Sequence, residues 1–194
     1  MKTTPYLFVK RLADLAFALL LGLLLLPLLV GVAIAIRLES PGPAIFKQLR
    51  MGRGGTPFTI YKFRSMVANA PKLGPELTER NDPRITRLGR LLRRTSVDEF
   101  PQLLNILKGD MSFIGPRPEV TAIVETDWSE DDRRTVLSVR PGLTGWAQIH
   151  GRDDLDIPTK LRYDREYAER VSLALDWTIL WRTPWLLLTG QGIK

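Results

Sequence analysis

The longest apolar segment of the chain comprises residues 15–36 and contains no charged side chain. As a helix, these 22 residues would extend about 33 Å at about 1.5 Å per residue, enough for a hydrocarbon core of roughly 30 Å. The pattern therefore predicts a membrane-embedded helix near the N-terminus.

Two features of this segment favour a re-entrant helix, which enters and leaves the membrane on the same side. Pro27 lies near its middle, where a proline removes a backbone hydrogen bond and bends the helix. Basic residues flank both ends, Lys10 and Arg11 before the segment and Arg37 after it. The positive-inside bias would therefore hold both ends on the cytoplasmic side.

This interpretation divides the chain in two. Residues 1–38 are predicted to form the re-entrant membrane helix, and residues 39–194 a cytoplasmic, membrane-associated domain. A single span stays open as an alternative because the length suffices. A cleaved signal peptide stays open as well, because Ala33-Ile34-Ala35 is similar to a cleavage site, although the apolar stretch exceeds the usual length of about 7–15 residues.

The second part shows shorter patterns. Alternation over residues 59–64 predicts a strand with Lys62 and Arg64 on one face. Two such cations can bind one phosphate, and the solvated face of a half-buried strand explains the pattern equally well. Helices are predicted over residues 84–94, where leucines recur among arginines, and from about residue 98 to 108.

A last helix is indicated by Trp177, Trp181 and Trp185, which lie at four-residue spacing. They predict an aromatic belt at a membrane interface, with ordinary core packing as the alternative. Residues 68–82 are predicted to be a loop. The expected fold is α+β and mostly helical: a small catalytic domain on an N-terminal re-entrant membrane helix, with interfacial amphipathic helices.

Composition limits the chemistry. The chain has no Cys and one His, which excludes disulfides, thiolate nucleophiles and motifs with two imidazole ligands. Carboxylates, hydroxyls and arginines remain, used with or without an oxygen-liganded cation such as Mg²⁺. Residues 37–117 carry fifteen basic and seven acidic side chains. This excess predicts an anionic partner: substrate phosphates, a lipid surface or nucleic acid.

The adjacent carboxylates Asp98 and Glu99 are the main candidates for chemistry. Pro101 suits a first helical turn, so both carboxylates would lie at a helix N-terminus. They could simply stabilise that end, and Ser96 with Glu99 fits a capping box. The same helix end also attracts phosphates, and an ionised aspartate beside phosphate and Mg²⁺ can act as a nucleophile.

Arg117 is a further candidate because it lies between Pro116 and Pro118. The two prolines fix the backbone on either side, so the guanidinium is presented with little loss of conformational freedom. A guanidinium can bind a phosphate through two parallel hydrogen bonds. The segment therefore predicts a phosphate ligand.

Four ordered segments resemble the monotopic phosphoglycosyl transferases, bacterial sugar transferases that begin glycan assembly on a polyprenyl phosphate. They are residues 61–66, 96–103, 108–118 and 140–148, with the sequences YKFRSM, SVDEFPQL, KGDMSFIGPRP and RPGLTGWAQ. The chain is most similar to the short, bacillosamine-phosphotransferase-like form of the family.

The resemblance implies transfer of a sugar 1-phosphate from a nucleotide sugar, expected to be UDP-linked, to polyprenyl (undecaprenyl) phosphate. It implies Asp98 as the nucleophile that carries the phosphosugar and Arg93 and Arg117 as phosphate ligands. Glu99 is implied as the second carboxylate, which helps to hold Mg²⁺ or sets the charge around Asp98. Lys62 is a further phosphate ligand in this scheme, and the strand pattern adds Arg64. The expected location is the cytoplasmic face of the bacterial inner membrane, in monotopic contact with the bilayer.

Two rival hypotheses stay open. Asp154 and Asp156 form the Asp-x-Asp pattern of metal-dependent glycosyltransferases, which release a nucleoside diphosphate. A non-catalytic anchored protein could instead use the basic segment to bind anionic lipid or nucleic acid. Nucleic acid is not expected as a partner, because the basic residues alternate with Gly-Pro turns and carboxylates.

Overall fold

The computed structural model describes residues 5–74 and 82–189. This part of the chain is mostly helical and contains two small sheets, as predicted for the fold class. The helices are α1 (Pro5–Leu24), α2 (Leu26–Glu39), α3 (Ala70–Leu73), α4 (Arg87–Thr95), α5 (Leu103–Lys108), α6 (Thr121–Asp127), α7 (Glu130–Val136), α8 (Ile157–Arg170) and α9 (Leu173–Thr189). The strands are β1 (Ile45–Met51), β2 (Pro57–Phe63), β3 (Ser112–Ile114) and β4 (Gly142–Thr144). Short 3₁₀ helices lie at Arg53–Gly55, Val97–Gln102, Gln148–His150 and Arg152–Asp154.

The apolar N-terminal segment forms two helices, α1 and α2, that meet at a bend of 62°. Pro27 lies in the first turn of α2, where its missing N–H costs no helical hydrogen bond. The bend predicted near this proline is therefore confirmed. No single helix of the described residues is long and apolar enough to cross a bilayer, whereas α1 and α2 together meet that criterion.

The two helices bury one side and expose the other. Ala18 of α1 packs against Ile60, Ile106 and Met111, and Ile36 of α2 lies in a second apolar cluster. The opposite side carries exposed large apolar residues: Phe8, Val9, Leu12, Phe17, Leu19, Leu20, Leu23, Leu24, Leu26, Leu28, Val30, Ile34 and Leu38. Apolar surface of this extent on soluble monomers is unusual and indicates an interaction site.

Polar side chains also fasten α1 to the rest of the molecule. Arg11 donates to the carbonyl of Ile106, near the end of α5, at 2.8 Å. Lys10 pairs with Asp176 of α9 at 2.6 Å, and the hydroxyl of Tyr6 donates to the same carboxylate. Charge-assisted bonds therefore hold α1 against two separate helices of the domain.

Strands β1 and β2 form an antiparallel hairpin in which Ile45 pairs with Phe63 and Met51 with Pro57. The strand predicted over residues 59–64 is confirmed, with its end one residue earlier, at Phe63. Arg64 therefore lies beyond the ladder, where the alternation of faces no longer holds.

Arg64 is buried and caps helix α2. Its guanidinium donates to the carbonyls of Pro41 and Ser40, both at 2.7 Å, and to that of Ile36 at 3.3 Å. The last carbonyls of a helix have no partner within the helix, so a guanidinium at this position satisfies them. This corrects the expectation that Arg64 joins Lys62 in binding a substrate phosphate, because its donors are directed at α2.

The predicted helix over residues 98–108 is present in two parts, the 3₁₀ helix Val97–Gln102 and α5. The predicted capping box is wrong. Ser96 has a left-handed backbone with φ of +56° and its side chain makes no cap. Its carbonyl instead accepts the backbone N–H of Glu99 at 3.2 Å, so the Glu99 side chain is available for other contacts.

The helix predicted over residues 84–94 is present as α4, which begins later because Thr86 caps it by accepting the N–H of Gly89 at 2.9 Å. In the segment predicted to be a loop, the structure has the short helix α3, and residues 75–81 lie outside the described residues.

Helix α9 carries the three predicted tryptophans on its exposed surface. Trp177, Trp181 and Trp185 are 62%, 77% and 70% exposed. Core packing, the alternative explanation of their spacing, is therefore excluded.

Gly89 is expected to be intolerant of any side chain. A Cβ at this position would lie 2.0 Å from the carbonyl oxygen of Ser65, so Gly89→Ala must push α4 away from the end of β2. Overpacking of this kind costs about 1–3 kcal/mol. Thermal unfolding in detergent should show a clear loss of stability. Gly31→Ala is the matched control, since its Cβ would meet nothing within 4 Å; equal melting temperatures for the two variants would contradict the packing argument.

Candidate active site

Glu99 is the centre of a buried ion cluster. Its Oε1 accepts a hydrogen bond from Lys62 Nζ at 3.0 Å and another from Arg117 Nη2 at 2.8 Å. The three side chains come from β2, the 3₁₀ helix Val97–Gln102 and the proline-flanked loop after β3. Three separately predicted site residues therefore meet at one carboxylate oxygen.

Asp98, the next residue back along the chain, is partly buried beside this cluster. Among the described residues, Lys62, Arg93 and Arg117 act on it through their charge, and no hydrogen bond to its carboxylate contributes. Asp98 therefore sits in a positive environment without being committed to any one cation. A carboxylate in this state can use its lone pairs on a substrate.

The two carboxylates have opposite pKa shifts. Burial, followed by repulsion from Glu99, raises the pKa of Asp98 to about 6, against the opposing effect of the three cations. Burial also disfavours the charged form of Glu99, but Arg117 and Lys62 outweigh it and hold the pKa of Glu99 below its ordinary value. At neutral pH Glu99 is thus a fixed anion, while Asp98 titrates just below neutrality.

Lys62 is held in place through the strand that carries it. The buried side chain of Asn105 on α5 donates to the carbonyl of Thr59 at 2.7 Å and accepts the N–H of Tyr61 at 3.1 Å. The Asn105 amide thereby joins α5 to β2 through the backbone of two residues, Thr59 and Tyr61. Burial lowers the pKa of Lys62, and the nearby Glu99 opposes that effect.

Arg93 reaches the site from α4. Its Nε donates to the hydroxyl of Ser65 at 2.9 Å, and Gly89 allows α4 to approach Ser65 closely. The last turn of α4 is therefore anchored to the segment that follows Lys62. Ser65 was not predicted as a site residue, since a single Ser after a strand carries no pattern of its own.

Asp164 of α8 contacts the backbone of the loop that carries Arg117. This carboxylate is almost completely buried and accepts the backbone N–H of Arg117. Burial raises the pKa of Asp164 to about 7. Sequence reasoning missed Asp164, because an aspartate in an ordinary amphipathic helix gives no signal that it faces another loop.

Asp156 of the Asp-x-Asp pattern and the single histidine, His150, both have structural partners. The carboxylate of Asp156 caps α8 by accepting the N–H of Thr159 at 2.9 Å. His150 bonds to the carbonyl of Trp146 through Nδ1 at 2.8 Å and stacks on Tyr163. Both contacts are ordinary supports for local structure.

The residues at the site suit Mg²⁺ bound together with substrate. No group of three or more His, Cys, Asp or Glu side chains suited to a metal occurs in the described residues. Mg²⁺ commonly uses one or two carboxylates and completes its shell with water and substrate phosphates. Lys62 and Arg117 both donate to Oε1 of Glu99. Oε2 of Glu99 and the carboxylate of Asp98 are therefore the oxygen atoms that could bind Mg²⁺.

Comparison with known proteins places this site in a family. The family model described as bacterial sugar transferase matches residues 5–190. The chain belongs to the bacterial sugar transferase family. The match includes α1 and α2 as well as the segments that carry Asp98, Glu99 and Arg117, so the resemblance noted from the sequence is confirmed.

Three curated relatives illustrate the similarity. The chain is 42% identical over 197 residues to the UDP-N-acetylgalactosamine-undecaprenyl-phosphate N-acetylgalactosaminephosphotransferase of Aeromonas hydrophila, covering 97% of this chain and 46% of that one. It is 44% identical over 165 residues to a putative undecaprenyl-phosphate N-acetylgalactosaminyl 1-phosphate transferase of Bacillus subtilis, covering 85% and 83%. It is 45% identical over 193 residues to the UDP-glucose:undecaprenyl-phosphate glucose-1-phosphate transferase of Caulobacter vibrioides, covering 94% and 71%. The chain thus spans less than half of the first relative and most of the other two.

The raised pKa of Asp98 predicts that Asp98→Asn stabilises the protein at neutral pH. The folded-state pKa of about 6 lies above the ordinary value of 3.8, so the native state favours the protonated form. The ionised group therefore costs stability above pH 6, and this cost disappears as the pH falls toward 4. The variant should gain about 1–3 kcal/mol at pH 7.5 and almost nothing at pH 4, measured by chemical unfolding.

Asp156→Asn is the control with the opposite sign. Its hydrogen bonds to Thr159 lower the pKa of Asp156, so this variant should lose stability at pH 7.5 and lose less in acid. A gain for Asp98→Asn that is the same at both pH values would contradict the electrostatic argument.

Proposed function

We propose that the protein is a phosphoglycosyl transferase that moves a sugar 1-phosphate from a nucleotide sugar to a polyprenyl phosphate. The observation that carries this proposal is the contrast between the two carboxylates. Glu99 is paired with Lys62 and Arg117, whereas Asp98 lies among three cations without a hydrogen bond from any described residue. This is the arrangement expected for a carboxylate nucleophile that attacks a phosphate.

The reaction proceeds in two displacements. An oxygen of ionised Asp98 attacks the phosphorus that bears the sugar, and the bond from this phosphorus to the bridging oxygen breaks. A nucleoside monophosphate leaves with that oxygen and its electron pair. An oxygen of the polyprenyl phosphate then attacks the same phosphorus and releases the Asp98 carboxylate, which gives polyprenyl-diphosphate-sugar.

The cations of the site match the charge that moves in these steps. Negative charge grows on the leaving phosphate, and Arg93, Arg117 and Lys62 are fixed before the substrate arrives. Preorganised donors of this kind stabilise a transition state without reorganising. Bound Mg²⁺, held by Asp98 and Glu99 with the substrate phosphates, would neutralise further phosphate charge.

The names of the relatives indicate the substrates. Those of the Aeromonas and Caulobacter proteins specify UDP-linked sugars and undecaprenyl phosphate. We infer the same classes for this chain: a UDP-sugar as donor and undecaprenyl phosphate as acceptor. Relatives with similar identity name different sugars, N-acetylgalactosamine and glucose, so the sugar itself is left to a substrate panel.

A bilayer is the proposed partner of the exposed apolar surface. The outer sides of α1 and α2 and the tryptophans of α9 are apolar and exposed, and an acceptor with a polyprenyl tail resides in a membrane. Basic residues before α1's apolar part and at the end of α2 would hold both ends at the cytoplasmic face. We infer a monotopic protein of the bacterial inner membrane whose kink at Pro27 returns the chain to that face.

The reaction predicts a defined product and a defined adduct. Incubation with UDP-sugar, Mg²⁺ and undecaprenyl phosphate should release UMP, and omission of the acceptor should leave a sugar phosphate on the protein in intact mass spectra. Asp98→Asn should lose the adduct and more than about a thousandfold in turnover. Chelation of Mg²⁺ should suppress turnover.

The double variant Asp154→Asn, Asp156→Asn is the matched control and should retain turnover. Release of UDP instead of UMP would favour a glycosyltransferase, and no product from any nucleotide sugar would favour a lipid-binding protein. A fully active Asp98→Asn variant would refute the assigned nucleophile.

The proposed topology can be tested by cysteine labelling, because the chain has no Cys. Thr3→Cys precedes the apolar segment, and Thr56→Cys lies on the exposed turn between β1 and β2. A re-entrant helix places both on one side, so a membrane-impermeant thiol reagent should label both in inverted vesicles and neither in intact spheroplasts. Labelling from opposite sides would establish a single span instead.

A further inference from the structure

A second depression adjoins the ion cluster through Arg117. It is small, opens to solvent, and is lined by Arg117, Ala147, Gln148, Arg152 and Lys160. A depression this small and open can contact one part of a ligand while the rest lies outside it, and cannot enclose a whole nucleotide sugar.

Gln148 lines the pocket with a buried amide that has no hydrogen-bond partner among the described residues. The residue is 5% exposed, and neither Nε2 nor Oε1 of its amide has a hydrogen-bond partner in the described structure. The amide lies against Gly145, where a Cβ would come within 2.8 Å of Oε1. A buried polar group without a partner costs about 1–3 kcal/mol, so an amide with both ends unsatisfied at a pocket wall gains stability when a bound molecule supplies its hydrogen bonds.

Three of the other four lining residues carry positive charge. Arg117 bonds to Glu99 on one side and reaches the pocket on the other. Lys160 pairs with Glu119 at 2.6 Å, and Arg152 has a bond to the hydroxyl of Ser96 at 3.3 Å. Among the described residues that line the pocket, Ala147 is the only apolar one, so they offer no apolar surface to a polyprenyl tail.

The bond between Arg152 and Ser96 joins the two left-handed non-glycine residues of the described chain. Ser96 has φ of +56° and Arg152 has φ of +51°. Left-handed backbone in such residues costs free energy and concentrates at functional sites. One of these residues lines the pocket and the other precedes Asp98 by two positions, so the pocket and the nucleophile segment are in direct contact.

We propose that this pocket binds the nucleoside monophosphate part of the donor. The proposal rests on the proposed function, in which the phosphorus that bears the sugar lies at Asp98. A diphosphate then needs a second set of cations for its other phosphate, and Arg117, Arg152 and Lys160 provide it. The amide of Gln148 offers a donor and an acceptor side by side, which matches the hydrogen-bonding edge of a nucleobase.

The stability of Gln148→Leu separates a ligand-binding amide from a structural one. Leu is similar in size and removes both unsatisfied groups, so the melting temperature should stay the same or rise. An amide needed for packing or internal hydrogen bonding would instead lower it. The same variant should lose affinity for UMP by at least about tenfold, the equivalent of about 1.4 kcal/mol.

Calorimetry with UMP alone tests the pocket independently of turnover. Wild-type protein and Asp98→Asn should both bind UMP, whereas Gln148→Leu and Lys160→Ala should bind it at least about tenfold more weakly. Arg162→Ala, which removes an exposed cation from the same helix, is the matched control and should bind like wild type. Inorganic phosphate should bind wild type, Gln148→Leu and Arg162→Ala with affinities that differ by less than about twofold, because the Gln148 amide is assigned to the nucleobase. It should bind Lys160→Ala more weakly, because Lys160 is assigned to a phosphate.

Steady-state kinetics extends the test to the substrates. Gln148→Leu should raise KM for the UDP-sugar by about tenfold and weaken product inhibition by UMP equally, with KM for undecaprenyl phosphate unchanged. Loss of acceptor or sugar 1-phosphate binding instead would overturn the assignment. If the enzyme releases UMP but Gln148→Leu binds UMP as tightly as wild type, the pocket proposal fails and the proposed function stands. If UMP binds through Gln148 but is never a product, the proposed function fails and the nucleotide site stands.

Discussion

The ion cluster at Glu99 is the contact on which the site depends. One oxygen of this carboxylate receives Lys62 from the hairpin and Arg117 from the proline-flanked loop. Breaking a buried ion pair leaves an uncompensated charge and costs several kcal/mol, so each of the three side chains fixes the other two. Lys62 and Arg117 are therefore held in place by an internal counter-ion rather than by a bound ligand.

Placing Asp98 beside that cluster divides two roles between neighbouring carboxylates. Both carboxylates are disfavoured as anions by burial. The hydrogen bonds and charges of Arg117 and Lys62 overcome this for Glu99 and lower its pKa, whereas repulsion from Glu99 adds to burial at Asp98 and raises its pKa to about 6. Two acids with nearly the same intrinsic chemistry thereby differ in charge behaviour: Glu99 is a fixed anion, and Asp98 exchanges a proton just below neutral pH. The left-handed turn at Ser96 supports this division, since it leaves the Glu99 side chain free of the capping role that its position would otherwise favour.

The sequence predicted those features that local patterns determine. The bend at Pro27, the strand that carries Lys62 and the helix after Asp98 follow from proline chemistry and periodicity. The candidates Asp98, Glu99 and Arg117 followed from residue type and family resemblance. Arg64 was misplaced because alternation stops at the end of β2. Asp164, Asn105 and Gln148 could not be predicted, because their importance lies in what they contact across the fold, and an isolated Asp, Asn or Gln gives no indication of its partner.

Four consecutive residues at the end of β2 and just after it contact four different parts of the structure. Lys62 meets Glu99, Phe63 lies in the apolar cluster with Ile36 and Leu92, Arg64 caps α2, and Ser65 holds Arg93. Substitutions here affect one neighbour at a time, but a one-residue insertion or deletion before Lys62 would reassign all four at once. This segment should therefore tolerate point changes unevenly and changes in length not at all, which makes the spacing of these four positions as much a part of the site as their side chains.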